Sequence, residues 1–272
     1  QFNINTKIAG TNRSRIEMLP TETVFNEDSV DLDFRVESNG NANMLVVDGG
    51  NDRLGIGIAA PDTLLHARLP STSTASLFTF DRSDGAVSGE IKYDDTAAVR
   101  GFEIGTTTQH DIALKTNDTT RVQVSQGGWV TMPTQPAFLA VAATQNNVTG
   151  DSTDYTVLFA GSEAFDQNAD FNGSNTFTAP VTGRYLLSTH IFCTGAADNH
   201  VLGYFAIVAS NRTVYNNLLV YNSQSGEELR DNITTFLDMD ANDTATVFLD
   251  IRGGSKTVDV ESTSTFSGVL VC

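Results

Sequence analysis

From Asp31 onward the chain alternates apolar and polar residues in short runs. Leu32, Phe34 and Val36 alternate with Asp33, Arg35 and Glu37, a period of two that predicts a half-buried strand. Ser38-Asn39-Gly40-Asn41 predicts a turn, because Asn-Gly readily takes the left-handed backbone of a tight hairpin. Residues 44–47 predict a second strand, Asp48-Gly49-Gly50-Asn51 another turn, and residues 53–58 a third strand. Pro61-Asp62 then interrupts the ladder before residues 64–67. The theme continues with residues 77–80 before the turn Ser83-Asp84-Gly85, and residues 90–93 before Asp94-Asp95. Residues 101–104, 111–114 and 121–124 follow at intervals of about ten, and Gly127-Gly128 leads into Trp129-Val130. No helical period runs through this half. Residues 1–30 show little alternation and carry Lys7, Arg13 and Arg15; they read as an extended arm that attaches the chain to something else.

A boundary is expected near Pro133-Thr-Gln-Pro136. Beyond it the apolar content rises and the strands lengthen, as at residues 183–192, 202–208, 244–251 and 264–271. About eight strands in this stretch predict a two-sheet jelly roll. The expected fold class is therefore all-β, in three parts: an arm over 1–30, a short-stranded shaft or collar over 31–133, and a jelly-roll head over 134–272. The strands of 31–133 are short and their apolar sets thin. One copy would bury too little surface to offset about 1–2 kcal/mol of backbone entropy per ordered residue. Three copies around one axis would share a core and remove exposed edges, which predicts a homotrimer.

Composition narrows the function. Charged residues are 18% of the 272, below the usual quarter, and the formal net charge is −17 from 33 acidic and 16 basic residues. Phosphate binding needs clustered Lys and Arg, so nucleic acid and anionic membrane surfaces are not expected partners. No apolar run is long enough for a transmembrane helix, and the opening Gln1-Phe-Asn-Ile-Asn lacks the basic region and apolar core of a secretory signal. Cys193 lies in an apolar run and reads as a small buried hydrophobe. Cys272 is the last residue, and whether the two pair stays open at this point.

Four fragments in order carry a family resemblance: Pro136-Ala-Phe138-Leu-Ala, Phe177-Thr-Ala-Pro180-Val-Thr-Gly183-Arg-Tyr185-Leu, the acidic turn of residues 237–247, and Phe266-Ser-Gly268-Val-Leu-Val271. Together they resemble the globular head of the complement component one, q subcomponent, which shares the tumour necrosis factor jelly roll. The resemblance implies that Phe138, Phe177, Pro180, Gly183, Tyr185, Phe266 and Gly268 shape the core and turns of such a head, and that it is trimeric. Residues 201–222 carry no diagnostic residue of that family. In the first half, Leu54-Gly-Ile-Gly-Ile-Ala-Ala-Pro61 with Leu64-Leu-His66-Ala, residues 89–93, and residues 111–114 through 128–130 resemble phage tail-fibre shafts, which are also trimeric. The resemblances imply a structural virion fibre of phage type on an extracellular particle. Its arm would contact other virion proteins and its head would bind a glycan or protein of a host surface. The alternatives are a head fibre, collar or capsid decoration without a receptor, and a secreted or cell-surface bacterial adhesin or filament subunit.

Chemistry is sparse. Gly55-Ile-Gly57-Ile-Ala-Ala60 imitates a dinucleotide fingerprint, which needs a following helix, and Pro61-Asp62 stands there instead. Asp238, Asp240, Asn242 and Asp243 are calcium candidates, but the positions a calcium loop reserves for Gly and Glu hold Asp243 and Leu249. Asp151, Asp154, Asp166 and Asp170 form a second acidic group. His66, His110, His190 and His200 have no metal-ligand spacing with one another or with a Cys, and no nucleophile elbow or zinc-protease motif occurs. No catalytic residue, cofactor or enzymatic activity is expected; a polysaccharide-cleaving spike is the enzymatic rival. Trp129 and Tyr204 are the side chains suited to stacking on a sugar.

Overall fold

The structure, a computed structural model, describes residues 2–69, 74–95, 100–218 and 227–272, so residues 219–222 of the undiagnostic stretch lie outside it. All elements among the described residues are β-strands. The chain forms two compact units, Gln1–Ile112 and Ala113–Cys272.

In the first unit, β1 (Phe2–Ile8), β2 (Thr11–Met18) and β3 (Thr23–Phe25) form an antiparallel sheet. The stretch read as an extended arm is thus paired β structure. It escapes the alternation test because β1 is exposed along its whole length, and only a buried face imposes a period of two. Next, β4 (Phe34–Val36), β5 (Leu45–Asp48), β6 (Arg53–Ile56) and β7 (Leu65–Ala67) form a sheet in that order. The β4–β5–β6 steps are antiparallel, whereas β6 and β7 run parallel, Leu54 opposite Leu65. The crossover between them needs Gly57, whose φ is +76°: a Cβ there would stand 2.4 Å from the Arg68 carbonyl oxygen. In the turn after β5, the Asp48 carboxylate accepts bonds from the Asn51 side chain and from the backbone N–H groups of Asn51 and Gly50. The bond from the Asn51 side chain leads in holding the Asp48 carboxyl below its ordinary range. The third sheet has β9 (Ser88–Asp95) between β8 (Ala75–Asp81) and β10 (Arg100–Thr106).

From the boundary onward, β11 (Ile112–Thr116), β12 (Thr119–Val124) and β13 (Val130–Thr131) form a small sheet. A sandwich follows, made from β14 (Ala137–Val141), β15 (Gln145–Thr149), β16 (Tyr155–Thr156), β17 (Ser162–Asp166), β18 (Phe177–Thr178), β19 (Gly183–Ala196), β20 (Leu202–Ala209), β21 (Arg212–Leu218), β22 (Glu227–Met239), β23 (Thr244–Arg252), β24 (Val258–Val260) and β25 (Thr265–Leu270). The larger sheet is built on β19. One edge of β19 pairs with β22; the other pairs with β25 along Tyr185–His190 and then with β24 at Cys193 and Thr194. Beyond β25 lie β14 and β17, and beyond β24 lies β15. The smaller sheet runs β23–β20–β21, with β16 and β18 along the free edge of β23. From β19 to β25 the chain goes to the smaller sheet, back for β22, across again for β23, and returns. This crossing pattern makes the sandwich a jelly roll.

The alternation of β19 explains its burial. Tyr185, Leu187, Ile191 and Cys193 face inward and are buried, while Leu186, Ser188, His190 and Phe192 face out. Ala245, Val247, Leu249 and Ile251 of β23 and Phe205 and Ile207 of β20 close the core from the other sheet. The one polar inward position of β19, Thr189, donates its hydroxyl to the Thr265 carbonyl at 2.9 Å, as a buried hydroxyl requires.

Candidate functional site

The residues singled out by the head resemblance lie together, except for Pro180, which is an exposed turn residue. Phe138 stacks on Phe177 and Phe171, with ring centroids 4.9 and 5.2 Å apart, and meets Phe266 edge-on at 5.1 Å. Tyr185 meets Phe177 edge-on, and its buried hydroxyl donates to the Val181 carbonyl at 2.7 Å. Gly268 faces this cluster: a Cβ there would lie 2.5 Å from Leu187 Cδ2 and 2.7 Å from Phe138 Cε1. Gly183 leaves room for Leu270 and the Cys272 carbonyl. These residues build the core; none of them offers a reactive group to solvent.

Three of the acidic candidates, Asp243, Asp166 and Asp151, spend their carboxylates on backbone N–H groups. The Asp243 carboxylate accepts the Asp240 N–H at 3.0 Å, and Asp243 N–H returns to the Asp240 carbonyl. Asp238 meets Asn211 through its carbonyl. The Asp166 carboxylate accepts the N–H groups of Asp170 and Phe171 at 3.1 and 3.0 Å. Desolvation pushes the neighbouring Asp170 carboxyl up. Asp151 closes a turn on Thr153, and the bond from the Thr153 hydroxyl leads in lowering its carboxyl. Among the described residues no group of three or more His, Cys, Asp or Glu side chains is arranged to hold a metal ion. His200 is buried, accepts the Ala197 N–H at Nδ1 (2.8 Å) and reaches the Ser255 carbonyl with Nε2 (3.1 Å); it ties two loops together. Cys193 and Cys272 are free thiols. Cys193 opposes Leu229, while Arg184, nine residues back along β19, donates its N–H to the Cys272 carbonyl. That separation of about 30 Å along a strand is far beyond disulfide reach.

The sandwich leaves two open sheet faces. Across the larger sheet runs an apolar row, Ala137–Val269–Leu186–Phe236, with each residue opposite the next. Leu139 and Phe165 pair beside it, and Phe236 is 61% exposed. The adjoining row is small and polar, and Ser188 and Thr234 share a hydroxyl–hydroxyl bond of 2.8 Å. On the smaller sheet Tyr204 is packed between Tyr215 and Phe248, with centroids 5.8 and 5.9 Å away. Directly opposite Tyr204 stands Asp250, whose side chain is fully buried. Arg252 Nε donates to Asp250 Oδ2 at 2.6 Å, and Arg252 Nη2 donates to the Tyr204 hydroxyl oxygen at 2.6 Å. Desolvation, followed by the Asp250 carboxylate, pushes the Tyr204 phenol up; the bond to Asp250 raises the Arg252 guanidinium. The sequence reading names Tyr204 but misses Asp250 and Arg252. Their signal is a pair of charges two apart at outward positions of the apolar strand 244–252.

In the first unit Lys92 lies among Glu103, Asp94 and Glu90 at 3.0, 3.4 and 3.5 Å. The bond to Glu103 leads in raising its ammonium above the ordinary range.

No protein-family model and no curated protein matches the chain. Solved structures do. The globular domain of zebrafish complement 1qA protein aligns with 19% identity over 51% of this chain and 98% of its own, with a TM-score of 0.37. Murine APRIL aligns with 9% identity over 50% of this chain and 99% of its own at a TM-score of 0.35 (the pH 8.5 crystal structure), and with 12% identity at 0.36 (the pH 5.0 structure).

Proposed function

We propose that this chain is a non-enzymatic structural fibre protein of a phage-type virus particle, assembled as a homotrimer, with the sandwich as its recognition head. Its division would follow the sequence: residues 1–30 attach to other virion proteins, 31–133 form a shaft or collar, and 134–272 form the head. One observation carries the reading. Among the described residues of the first unit, the buried apolar side chains are Val46, Ile58 and Pro61, while Phe80, Phe102, Ile104 and Leu64 are more than half exposed. Fully burying one such side chain contributes about 1.5–3 kcal/mol, so the unit gains most of its apolar stabilisation only against other copies. The row through Leu186 and Phe236 gives the head a face suited to the same packing. A three-fold axis closes such faces on one another without leaving a free edge. The viral part of the reading rests on the likeness of residues 54–67 to fibre shafts.

Function then follows from geometry: three weak sites on one axis bind a repetitive surface with an avidity that no single site reaches. Light scattering on the eluting protein tests the assembly and is expected to give three times the 29.2 kDa chain mass. A stable monomer overturns it. Labelled protein is expected to coat the cells that the particle infects. A trimer that coats none, yet decorates the particle in electron micrographs, is a capsid decoration instead.

A further inference from the structure

We infer that the open face of the smaller sheet is a saccharide-binding platform for an uncharged pyranose, built from Tyr204, Tyr215, Phe248, Asp250, Arg252 and Asp154. The inference deepens the reading of the sandwich as a recognition head and rests on it. Three observations point to this ligand. First, Tyr215 and Phe248 stand on either side of Ala206 in one cross-strand row. The Tyr204 ring lies between them, edge-on to Tyr215 at 65° and tilted 30° to Phe248, so the three rings make an apolar cluster with Tyr215 as its open stacking face. Tyr215 is 64% exposed, a large aromatic left open to solvent. The C–H face of a pyranose is flat and apolar, and it stacks on such a ring while its hydroxyls stay at the rim. Second, hydrogen-bonding groups converge at one end of the cluster. Arg252 reaches over Tyr204, its guanidinium carbon 5.1 Å from the ring centroid, with donors to spare beyond those given to Asp250 and Tyr204. Asp154 is exposed and near enough to act on both Tyr204 and Arg252. Third, the buried Asp250 carboxylate is half satisfied. Oδ2 takes the Arg252 bond, but Oδ1 has no partner. An orphaned buried acceptor is costly, and the groups beside it are Tyr204, whose phenol also bonds to the Asp250 carboxylate, and Arg252, whose side chain is 43% exposed. A sugar hydroxyl entering beside Arg252 supplies the missing donor. A few placed polar groups beside an aromatic cluster are the usual make-up of a small-ligand site. Two carboxylates against one guanidinium disfavour an anionic sugar, so the ligand is uncharged.

The test is saturation-transfer NMR on the full chain with the methyl glycosides of glucose, galactose, mannose and N-acetylglucosamine, and with glucuronic acid as the anionic comparison. At least one of the four neutral glycosides is expected to bind saturably, with a Kd on the order of 1 mM for a single site, and more tightly than glucuronic acid. Tyr215→Ala, at a side chain that is 64% exposed, is expected to weaken binding at least tenfold. Tyr215→Phe should keep it within about threefold, since the ring face is retained, and Trp129→Ala should leave it unchanged. Silence from all four neutral glycosides, stronger binding of the uronic acid, or full affinity in Tyr215→Ala overturns the site. The mass measured above separates this failure from that of the fibre reading. A trimer that binds none of the sugars keeps the fibre and loses the platform; a monomer that binds one keeps the platform and loses the fibre.

Discussion

The two units use the same element, the β-strand, and reach opposite outcomes. In the sandwich every long strand has a second sheet to face, so alternate residues of β19, β20 and β23 are buried and six aromatic rings interlock around Phe138, Phe177 and Phe266. In the first unit the sheets have three or four strands, and Phe102, Phe80 and Leu64 remain open. Stability follows from whether a strand has something to pack against.

The sharpest way to break this comparison is to remove a ring from each unit. Phe138→Ala deletes a side chain that touches Phe171, Phe177 and Phe266 and leaves a cavity among them. Phenylalanine-to-alanine changes in such cores cost about 3–5 kcal/mol. Denaturant unfolding followed by hydrogen exchange should show that loss in the amides of β14, β19 and β25, with the first unit unchanged. A cost below about 1 kcal/mol would mean that the head is not held by its aromatic core.

The matching change in the first unit should act on assembly rather than on folding. Phe102 is 71% exposed, so Phe102→Asp removes little from one chain taken alone. If Phe102 packs against other copies, the charge would be buried there, with a hot-spot penalty of about 2 kcal/mol per contact. The concentration at which the trimer dissociates should rise at least tenfold. Phe236→Asp, on the larger sheet's open face, should act in the same direction in the head. If both variants assemble as the parent does, these faces are simply solvent-exposed and the contrast between the units loses its meaning.

How much of this was legible follows from the same physics. Residues 183–196 announce a strand with one buried face because Tyr185, Leu187, Ile191 and Cys193 repeat every second residue. Gly268 and Phe138, more than a hundred residues apart, were singled out as core and turn residues only through resemblance, and their close approach gives the physical reason. The sheet of residues 2–25 was illegible because it buries no continuous face and so has no alternation to read. The parallel pairing of β6 with β7 was hidden for another reason: the turn at Pro61-Asp62 looks like the end of a ladder, although the chain recrosses and rejoins it. Tyr204 could be named as an aromatic suited to stacking on a sugar. Its partners could not, because Asp250 and Arg252 reach it only through the register of β20 on β23.

A smaller effect distinguishes polar satisfaction from packing within the head. Tyr185→Phe keeps the ring against Phe177 and removes only the bond to the Val181 carbonyl. The expected loss is about 1 kcal/mol, a fraction of the Phe138→Ala cost. A loss as large as that of Phe138→Ala would move the weight of the core from its rings to its turn.

The two thiols compare a buried and an open position on one chain, and at neutral pH their difference costs the fold nothing. Burial, then Glu261 and Asp259 nearby, push the Cys193 thiol up to about 12 from 9.0. The thiolate is the reactive form, so at pH 8 a thiol reagent should modify Cys272 alone in the folded protein and both residues after unfolding. Modification of the exposed Cys272 should leave the unfolding midpoint where it was. The sign of the pH effect follows from the direction of the shift. The fold favours the protonated Cys193, so the stability linked to it is complete below pH 9 and falls as pH rises from 9 toward 12. Cys193→Ala should therefore flatten the alkaline limb of the stability curve while lowering its plateau. An alkaline limb of unchanged slope in that variant would assign the loss to other groups, such as Tyr185 or Tyr204, whose phenols burial also pushes up.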